Sequence, residues 1–365
     1  MDYKGRLKRL QRALSENRLD ALLVTHLPNI RYLAGFTGSA GVLLLTENRA
    51  LFFSDGRYTT QAKREVEGAK VVIAKKAPLF AAAEWLSNHR KGLGSAIRLG
   101  IEGDHLTVAA HDQLRRFLPA AFRLKTAPPL IEEARMRKDA DEIASIKAAV
   151  EMGSRLFETV VAAIRPGTSE VNVAAELEHA ARRSGAEQMS FETIIASGER
   201  SALPHGRASR CAIPGEGFVV CDFGVILSGY CSDMTRTVYV GRPPEEARRI
   251  YQAVKEAQQA AVDAVRPGVS TGEIDRVARK LLQKQGFGRY FTHSTGHGVG
   301  LEIHEAPRVA AGQQLNLQPG MVITIEPGAY IPGRWGVRIE DIVVVRENGC
   351  EVLTPTSKEL IAVGG

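Results

Sequence analysis

Four cysteines in 365 residues form no CxxC pair and set up no disulfide framework. Cys211, Cys221 and Cys231 recur at intervals of ten, which predicts buried strand positions for them rather than metal ligation; Cys350 stands apart. Such thiol usage fits the reducing cytoplasm. Long apolar runs are also missing: stretches such as 41–45 and 218–221 fall far short of the roughly 18 residues a membrane span requires. Residues 1–20 read as a charged amphipathic helix with no apolar h-region and no small-residue cleavage site, so neither secretion nor a membrane partner is expected. No block of Lys and Arg interleaved with aromatics occurs either. The net charge of +7 is unevenly spread, with 24 Lys and Arg against 14 Asp and Glu in residues 1–139, and 24 against 27 in the remainder. A dispersed basic excess of this kind is a solvated surface, not a nucleic-acid footprint.

The hydrophobic content of 44% and charged content of 24% are those of a globular protein, and the length suits two domains. Residues 3–17 have a helical pattern, and apolar strands are predicted at 21–25, 42–45, 51–54, 71–74 and 97–101, with helices between some of them. That alternation predicts an α/β domain over 1–130, ended by the adjacent Pro128 and Pro129, and a second domain over 131–365. A long helix is expected from near Lys138, because Ile143, Ile146, Val150, Phe157, Val160 and Ile164 recur at close to helical spacing. Arg165-Pro166-Gly167 ends it.

An internal repeat organises the second domain. Ala163-Ile164-Arg165-Pro166-Gly167-Thr168-Ser169 returns 101 residues later as Ala264-Val265-Arg266-Pro267-Gly268-Val269-Ser270. A helical pattern flanks each copy on both sides, and the second helix of each stops at a glycine, Gly185 or Gly286, again 101 apart. Strand-rich segments follow in both copies, introduced by Pro214-Gly215 and Pro319-Gly320. Two similar halves packed about a pseudo-twofold axis leave a cleft between them, a favoured place for a ligand.

After each Pro-Gly turn an apolar strand carries one acid, Asp222 in the first half and Glu326 in the second. Ionised carboxylates among such neighbours are costly unless paired or metal-bound. A second acid follows each: Asp233 lies 11 residues after Asp222, and Glu340 lies 14 after Glu326. Those separations fit two adjacent antiparallel strands joined by a short connection, each pair facing the cleft. The competing use of the acids is in buried ion pairs with Arg236 and Arg338. Three of the nine histidines, His293, His297 and His304, crowd one short glycine-rich segment that does not suit a helix, so a strand or loop closely approaching a ligand is expected there. His205 is a fourth candidate, whereas His179 sits in an amphipathic helical pattern and reads as structural. Four carboxylates balance two divalent ions; oxygen-rich coordination with one imidazole favours manganese over cobalt or zinc. Such a pair is suited to hydrolysis.

Ser232-Asp233-Met234-Thr235-Arg236-Thr237, Gly296-His297-Gly298-Val299-Gly300, Glu326-Pro327-Gly328 and Val337-Arg338-Ile339-Glu340-Asp341, with Asp222 and its following Phe223-Gly224, resemble the pita-bread metallopeptidases of the Xaa-Pro aminopeptidase and prolidase branch. Asn29-Ile30-Arg31-Tyr32-Leu33-Ala34-Gly35-Phe36-Thr37-Gly38-Ser39 and Asp55-Gly56-Arg57-Tyr58 resemble that branch's additional N-terminal domain. The resemblance implies a creatinase/prolidase-type α/β domain followed by an α+β pita-bread catalytic domain with pseudo-twofold duplication. It implies that Asp222, Asp233 and Glu340 hold one metal and that Asp233, His297, Glu326 and Glu340 hold the other. Glu326 would accept and donate the proton, His304 would stabilise the developing oxyanion, and His205, His293 and Arg338 would complete the outer shell and contact substrate. It further implies cleavage before a penultimate proline, with the Xaa-Pro aminopeptidase reading placed ahead of the Xaa-Pro dipeptidase one, and a homodimer. A creatinase-like amidinohydrolase and a non-catalytic binding protein of the same fold are the other readings, both associated with loss of ligands that are present here.

Overall fold

The computed structural model describes residues 1–90 and 96–364, and divides into two compact units, Met1–Arg135 and Met136–Gly365. In the first unit, β1 (Ala21–Val24), β2 (Val42–Thr46), β3 (Arg49–Asp55), β4 (Lys70–Ala74), β5 (Ile97–Ile101) and β6 (Phe122–Thr126) form one sheet in the order β4-β3-β2-β1-β5-β6. The β1–β2 and β2–β3 pairings are antiparallel, the other three parallel. Every residue of β1 and β2 is buried, as a sheet covered on both faces requires. The helices are α1 (Tyr3–Glu16), α2 (Leu27–Ala34), α3 (Thr59–Glu65), α4 (Pro78–Asn88), α5 (Val108–Phe117) and α6 (Leu130–Met136). Leu7, Leu10 and Leu14 give α1 its buried stripe. Ala82 and Leu86 of α4 and Leu114 of α5 pack with Leu23, Leu44, Phe53 and Leu99 of the sheet.

The expected strands are present at their predicted places. β6, a short strand at the sheet edge, is not among the expected strands: Phe122 and Leu124 alternate with exposed Arg123 and Lys125, but over only five residues. Pro128 and Pro129 interrupt the chain as expected, but α6 behind them has buried Ile131 and Arg135, and Arg135 Nη1 donates to Asn29 Oδ1 at 2.7 Å. The first unit therefore extends past residue 130 to Arg135. No helix among the described residues is long and apolar enough to cross a membrane.

The second unit begins with α7 (Ala140–Ala163), started by a capping box in which Asp139 and Glu142 each accept the other's backbone N–H. Then follow α8 (Glu170–Arg183), β7 (Gln188–Met189), β8 (Ile194–Ser197), β9 (Gly217–Phe223), β10 (Val225–Leu227), β11 (Tyr230–Cys231) and β12 (Met234–Val240). The next copy supplies α9 (Glu245–Ala264), α10 (Thr271–Lys284), β13 (Gly296–Gly298), β14 (Glu305–Val309), β15 (Val322–Ile325), β16 (Gly328–Ile331), β17 (Trp335–Arg338) and β18 (Asp341–Arg346). Strands β19 (Gly349–Val352) and β20 (Ala362–Val363) complete it. The repeat read in the sequence is a repeat in space of elements: α7 and α9 end, and α8 and α10 both begin and end, 101 residues apart. Gly167 and Gly268 turn the chain at φ +84° and +83°.

In each copy the two acid-bearing strands pair antiparallel, β9 with β12 and β15 with β18. The connection between them is not a short loop. It is a hairpin, β10–β11 in the first copy and β16–β17 in the second. Strand alternation then aims the acids. Val219, Cys221 and Phe223 of β9 and Met234, Val238 and Val240 of β12 pack with α7 and α8, so Asp222 and Asp233, at the opposite parity, face away from those helices. Ile323 and Ile325 of β15 and Val343 and Val345 of β18 pack with α9 and α10, and Glu326 and Glu340 are likewise at the opposite parity. The cysteine expectation holds in part: Cys221 and Cys231 are buried strand residues and Cys350 is a half-buried one, but Cys211 is exposed and outside any strand.

Candidate metal centre

Asp222, Asp233, Glu326 and Glu340, with His205, His293, His297, His304 and Arg338, line one cavity of about 860 Å³ in the second unit. Asp222, Asp233 and Glu340 are buried, and Glu326 is partly so. One ligand atom each from Asp233, His297 and Glu340 lies within 4.8 Å of the others. His297 Nε2 stands 3.6 Å from Asp233 Oδ2 and 3.5 Å from Glu326 Oε1.

His297 occupies the middle of β13, between Gly296 and Gly298. A Cβ on Gly296 would meet Thr324 O at 1.9 Å, and one on Gly298 would meet Ala306 O at 2.3 Å. The glycines expected to approach a ligand instead let neighbouring strands close on both sides of the histidine. The His297 Nδ1 is 3.0 Å from Gly298 O, a contact that assigns the ring proton to Nδ1 and leaves the Nε2 lone pair directed at the acids. Burial pushes the pKa of this imidazole down to about 4, so it is neutral at physiological pH.

The acids respond in the opposite direction. Burial, then the neighbouring carboxylates Glu340 and Asp222, raise Asp233 well above the usual carboxylate range. Burial, then Glu326 and Asp222, do the same for Glu340. Glu326 is pushed up to about 8, chiefly by burial. Asp222 Oδ1 and Glu340 Oε1 are buried without a hydrogen-bond partner. Orphaned carboxylate oxygens beside an imidazole lone pair are stabilised by a cation and by little else. The donor set thus fits divalent metal.

Arg338 binds the site together from β17. Its Nη2 pairs with Asp222 Oδ2 at 2.5 Å, and its Nε donates at 3.0 Å to Thr235 Oγ1, which donates to Glu340 Oε2 at 2.7 Å. Its Nη1 reaches Tyr330 Oη at 2.7 Å and Pro204 O at 2.9 Å, fixing the segment before His205. The ion-pair use of the acids is therefore present at Asp222, yet one oxygen of that same carboxylate remains orphaned. Arg236 pairs with Asp341, not with any of the four acids.

Tyr330 Oη also contacts His293 Nε2 at 2.9 Å, while His293 Nδ1 lies 2.8 Å from Ser294 O. Burial, with the Arg338 charge nearby, lowers His293 to about 3. Asp275 on α10 holds the start of this segment by accepting from the Thr295 backbone N–H and Oγ1. His304 is exposed and stacks edge-on to His297 with centroids 4.3 Å apart. His205 is exposed at the cavity mouth, in a loop whose base is fastened by buried Glu170 through Ser197, Arg200 and Ser209. His179 is exposed on α8 and outside this cluster.

Sequence reasoning did not single out Tyr330 or Thr235. Tyr330 looks like any strand tyrosine, but Thr235 sits two residues from Asp233 on the same strand face, a period-2 signal that points to it.

Comparison with known proteins accords with this geometry. The model of metallopeptidase family M24 matches residues 144–347, and that of the creatinase/prolidase N-terminal domain matches residues 6–137. The chain is 38% identical to a Xaa-Pro dipeptidase of Pyrococcus horikoshii over 98% of each protein. Among solved structures, a Xaa-Pro dipeptidase from Bacillus anthracis superposes with a TM-score of 0.93 at 42% identity, over 99% of this chain and 100% of that one. An X-Pro aminopeptidase from Thermotoga maritima gives a TM-score of 0.88 at 35% identity, over 96% and 100%. The chain belongs to metallopeptidase family M24, with a creatinase/prolidase N-terminal domain ahead of its pita-bread catalytic domain.

Proposed function

We propose that this protein is a two-metal exopeptidase that hydrolyses the bond between a first residue and a penultimate proline, an Xaa-Pro aminopeptidase. The observation that carries the reading is the convergence of four carboxylates and the His297 lone pair on one cavity, with orphaned oxygens on Asp222 and Glu340. Asp222, Asp233 and Glu340 are assigned to one ion, and Asp233, His297, Glu326 and Glu340 to the other, with manganese the ion that this oxygen-rich set favours. When bound, the ions supply Lewis acidity toward the scissile carbonyl and an activated water. Glu326 would take the proton from water and pass it to the departing proline nitrogen. His304, beside His297 on the cavity wall, would donate toward the developing oxyanion, and exposed His205 would hold the peptide on its proline side. Arg338 keeps Asp222 and, through Thr235, Glu340 in place. His293 and Tyr330 lock one edge of that guanidinium.

The cavity, near the upper end of the ~300–1,000 Å³ usual for ligand pockets, has room for chain beyond the proline, which favours aminopeptidase action. The dipeptidase reading draws support from relatives that bear the name Xaa-Pro dipeptidase, and from Arg207 and Arg308 on the cavity wall, cations that could meet a dipeptide's carboxylate. The deciding measurement is turnover of Xaa-Pro, Xaa-Pro-Yaa and longer peptides by stripped enzyme reloaded with manganese, cobalt or zinc. Turnover of longer peptides supports the aminopeptidase; cleavage of dipeptides alone overturns it in favour of prolidase. Hydrolysis of creatine by metal-free protein would overturn both. Assignment to the cytoplasm and to a homodimer belongs to the same proposal, and light scattering of the purified chain tests the second part.

A further inference from the structure

The family match ends at residue 347, yet residues 354–363 return to the back of the metal centre. Asp233 immediately precedes β12 and Glu340 immediately precedes β18, and these strands belong to different sheets. Their backbones meet where Glu340 N donates to Thr235 O at 3.1 Å. The side chain that closes this junction is Arg236, buried to 2% exposure, and each of its five N–H donors has an acceptor. Nη1 serves Thr235 O and Glu340 O, the two carbonyls of the junction. Nη2 serves Asp341 Oδ1 at 2.7 Å and Thr356 O at 2.6 Å, and Nε serves Ser357 O at 3.0 Å.

Two of the five acceptors are thus backbone carbonyls of the segment beyond the family match. That segment is fastened on every side. Thr354 Oγ1 accepts from Ile342 N, and Lys358 Nζ reaches Asp341 Oδ2 at 3.2 Å and the side-chain Oε1 atoms of Gln258 and Gln259 on α9. Asp341 Oδ2 also accepts from Gln258 Nε2 at 2.9 Å. Tyr251 Oη donates to Lys358 O, and β20 pairs parallel with β12. A buried guanidinium deprived of two acceptors must shift or take up water, and the carbonyl of Glu340 moves with it.

We propose that residues 354–363 act as a strap that holds Asp233 and Glu340 at metal-binding separation, with Arg236, Asp341 and Lys358 as positioning residues. The inference rests on reading Asp233 and Glu340 as metal ligands. The test titrates the chelator-stripped whole chain with Mn²⁺ alone, by calorimetry, for wild type, Arg236→Lys, Lys358→Met, Asp233→Ala and the control Glu347→Gln, exposed and outside the segment. Arg236→Lys keeps the charge but not the fork. Supports of a metal's ligands typically matter by 10–100-fold, so Arg236→Lys and Lys358→Met are expected to bind Mn²⁺ about tenfold or more weakly, with unchanged circular dichroism. Excess Mn²⁺ should restore their kcat while KM stays at the wild-type value, and Glu347→Gln should match wild type throughout. If Arg236→Lys does not fold, Lys358→Met, altered at a partly exposed side chain, decides the matter. Lower melting temperatures with Mn²⁺ affinity within twofold of wild type would overturn the strap. Loss of Mn²⁺ by Asp233→Ala without any change in Lys358→Met sinks the strap alone, whereas full Mn²⁺ stoichiometry in Asp233→Ala sinks the ligand reading beneath it.

Discussion

In the first half of the catalytic domain the acids are aspartates on β9 and just before β12; in the second they are glutamates just after β15 and just before β18. Both halves share helix pairs at a fixed 101-residue offset, antiparallel acid strands and an inserted hairpin. They differ in what the hairpin carries. The first half's β10–β11 is a plain turn over α7, while β16–β17 brings Tyr330 and Arg338 to the centre. The basic groups of the cavity are divided unevenly too: His293, His297, His304, Arg308 and Arg338 come from the second half, and the exposed His205 and Arg207 from the first. Duplication supplies a frame that aims four acids inward, and divergence loads one half with the groups that hold them there. Arg338 of the second half gripping Asp222 of the first is one link between the two, beside the junction that Arg236 closes with Asp341.

The sharpest way to break this comparison is to remove one acid from each half. Asp233→Ala and Glu340→Ala should each lower kcat/KM by about 1,000-fold or more, because Lewis-acid stabilisation is worth several kcal/mol and each ~1.4 kcal/mol is tenfold. Metal analysis of both purified variants should show lost ions. A variant of either half that keeps wild-type activity and metal content would show that the halves do not share one centre. Arg338→Lys is expected to cost less, about 10–100-fold in kcat, since an ammonium cannot serve Asp222, Thr235, Tyr330 and Pro204 O at once. An effect confined to KM would make Arg338 a substrate contact rather than a support.

Proton linkage tests whether the acids act together. Without metal, Glu326 is raised to about 8, and Asp233 and Glu340 are raised well above their ordinary values. These carboxyls therefore hold more protons in the folded stripped protein than in the unfolded chain, so their contribution to stability is full below the unfolded value near 4.5 and is lost as pH rises through about 8, while His293 and His297, lowered to about 3 and about 4, oppose it below the ordinary imidazole value of 6.5. Metal binds the deprotonated forms, so near pH 7 it should release protons, tighten as pH rises toward 8, and stabilise most at the alkaline end. Calorimetry in buffers of different ionisation enthalpy measures the release; a proton count near zero at pH 6 to 7 would contradict the raised values.

Much of this was legible in the sequence because repeats and strand alternation are local signals. Pro166-Gly167 and Pro267-Gly268, the two acid-bearing strands in each half and the Gly296-His297-Gly298 segment could all be read from spacing alone. The hairpins between the acids were not, since 11 or 14 residues fit a loop as well as two very short strands. Arg338 could be named, and an acid partner for it, but which partners it takes could not: residues 204, 222 and 235 reach it through the packing of the halves, and Tyr330 through the β16–β17 hairpin. The role of residues 354–363 was equally hidden: backbone carbonyls accept Arg236, and backbone carries no residue-type signal.

The smallest expected effect asks whether the frame is as symmetric as its offsets imply. Gly167 and Gly268 take φ +84° and +83°, and a Cβ at either would meet nothing within 4 Å. Alanine there costs only the left-handed backbone penalty, about 1–2 kcal/mol, with no clash to add. Gly167→Ala and Gly268→Ala should therefore destabilise the domain by the same amount to within about 0.5 kcal/mol, and leave activity of the folded enzyme unchanged. Trp335 is the tryptophan of this unit, so its fluorescence in a Trp85→Phe background reports the domain's urea unfolding separately from the first unit. Matched losses would mean that the two turns still do one job in both halves. A loss at one glycine more than about twofold that at the other would place the divergence in the frame itself, not only in the side chains it carries.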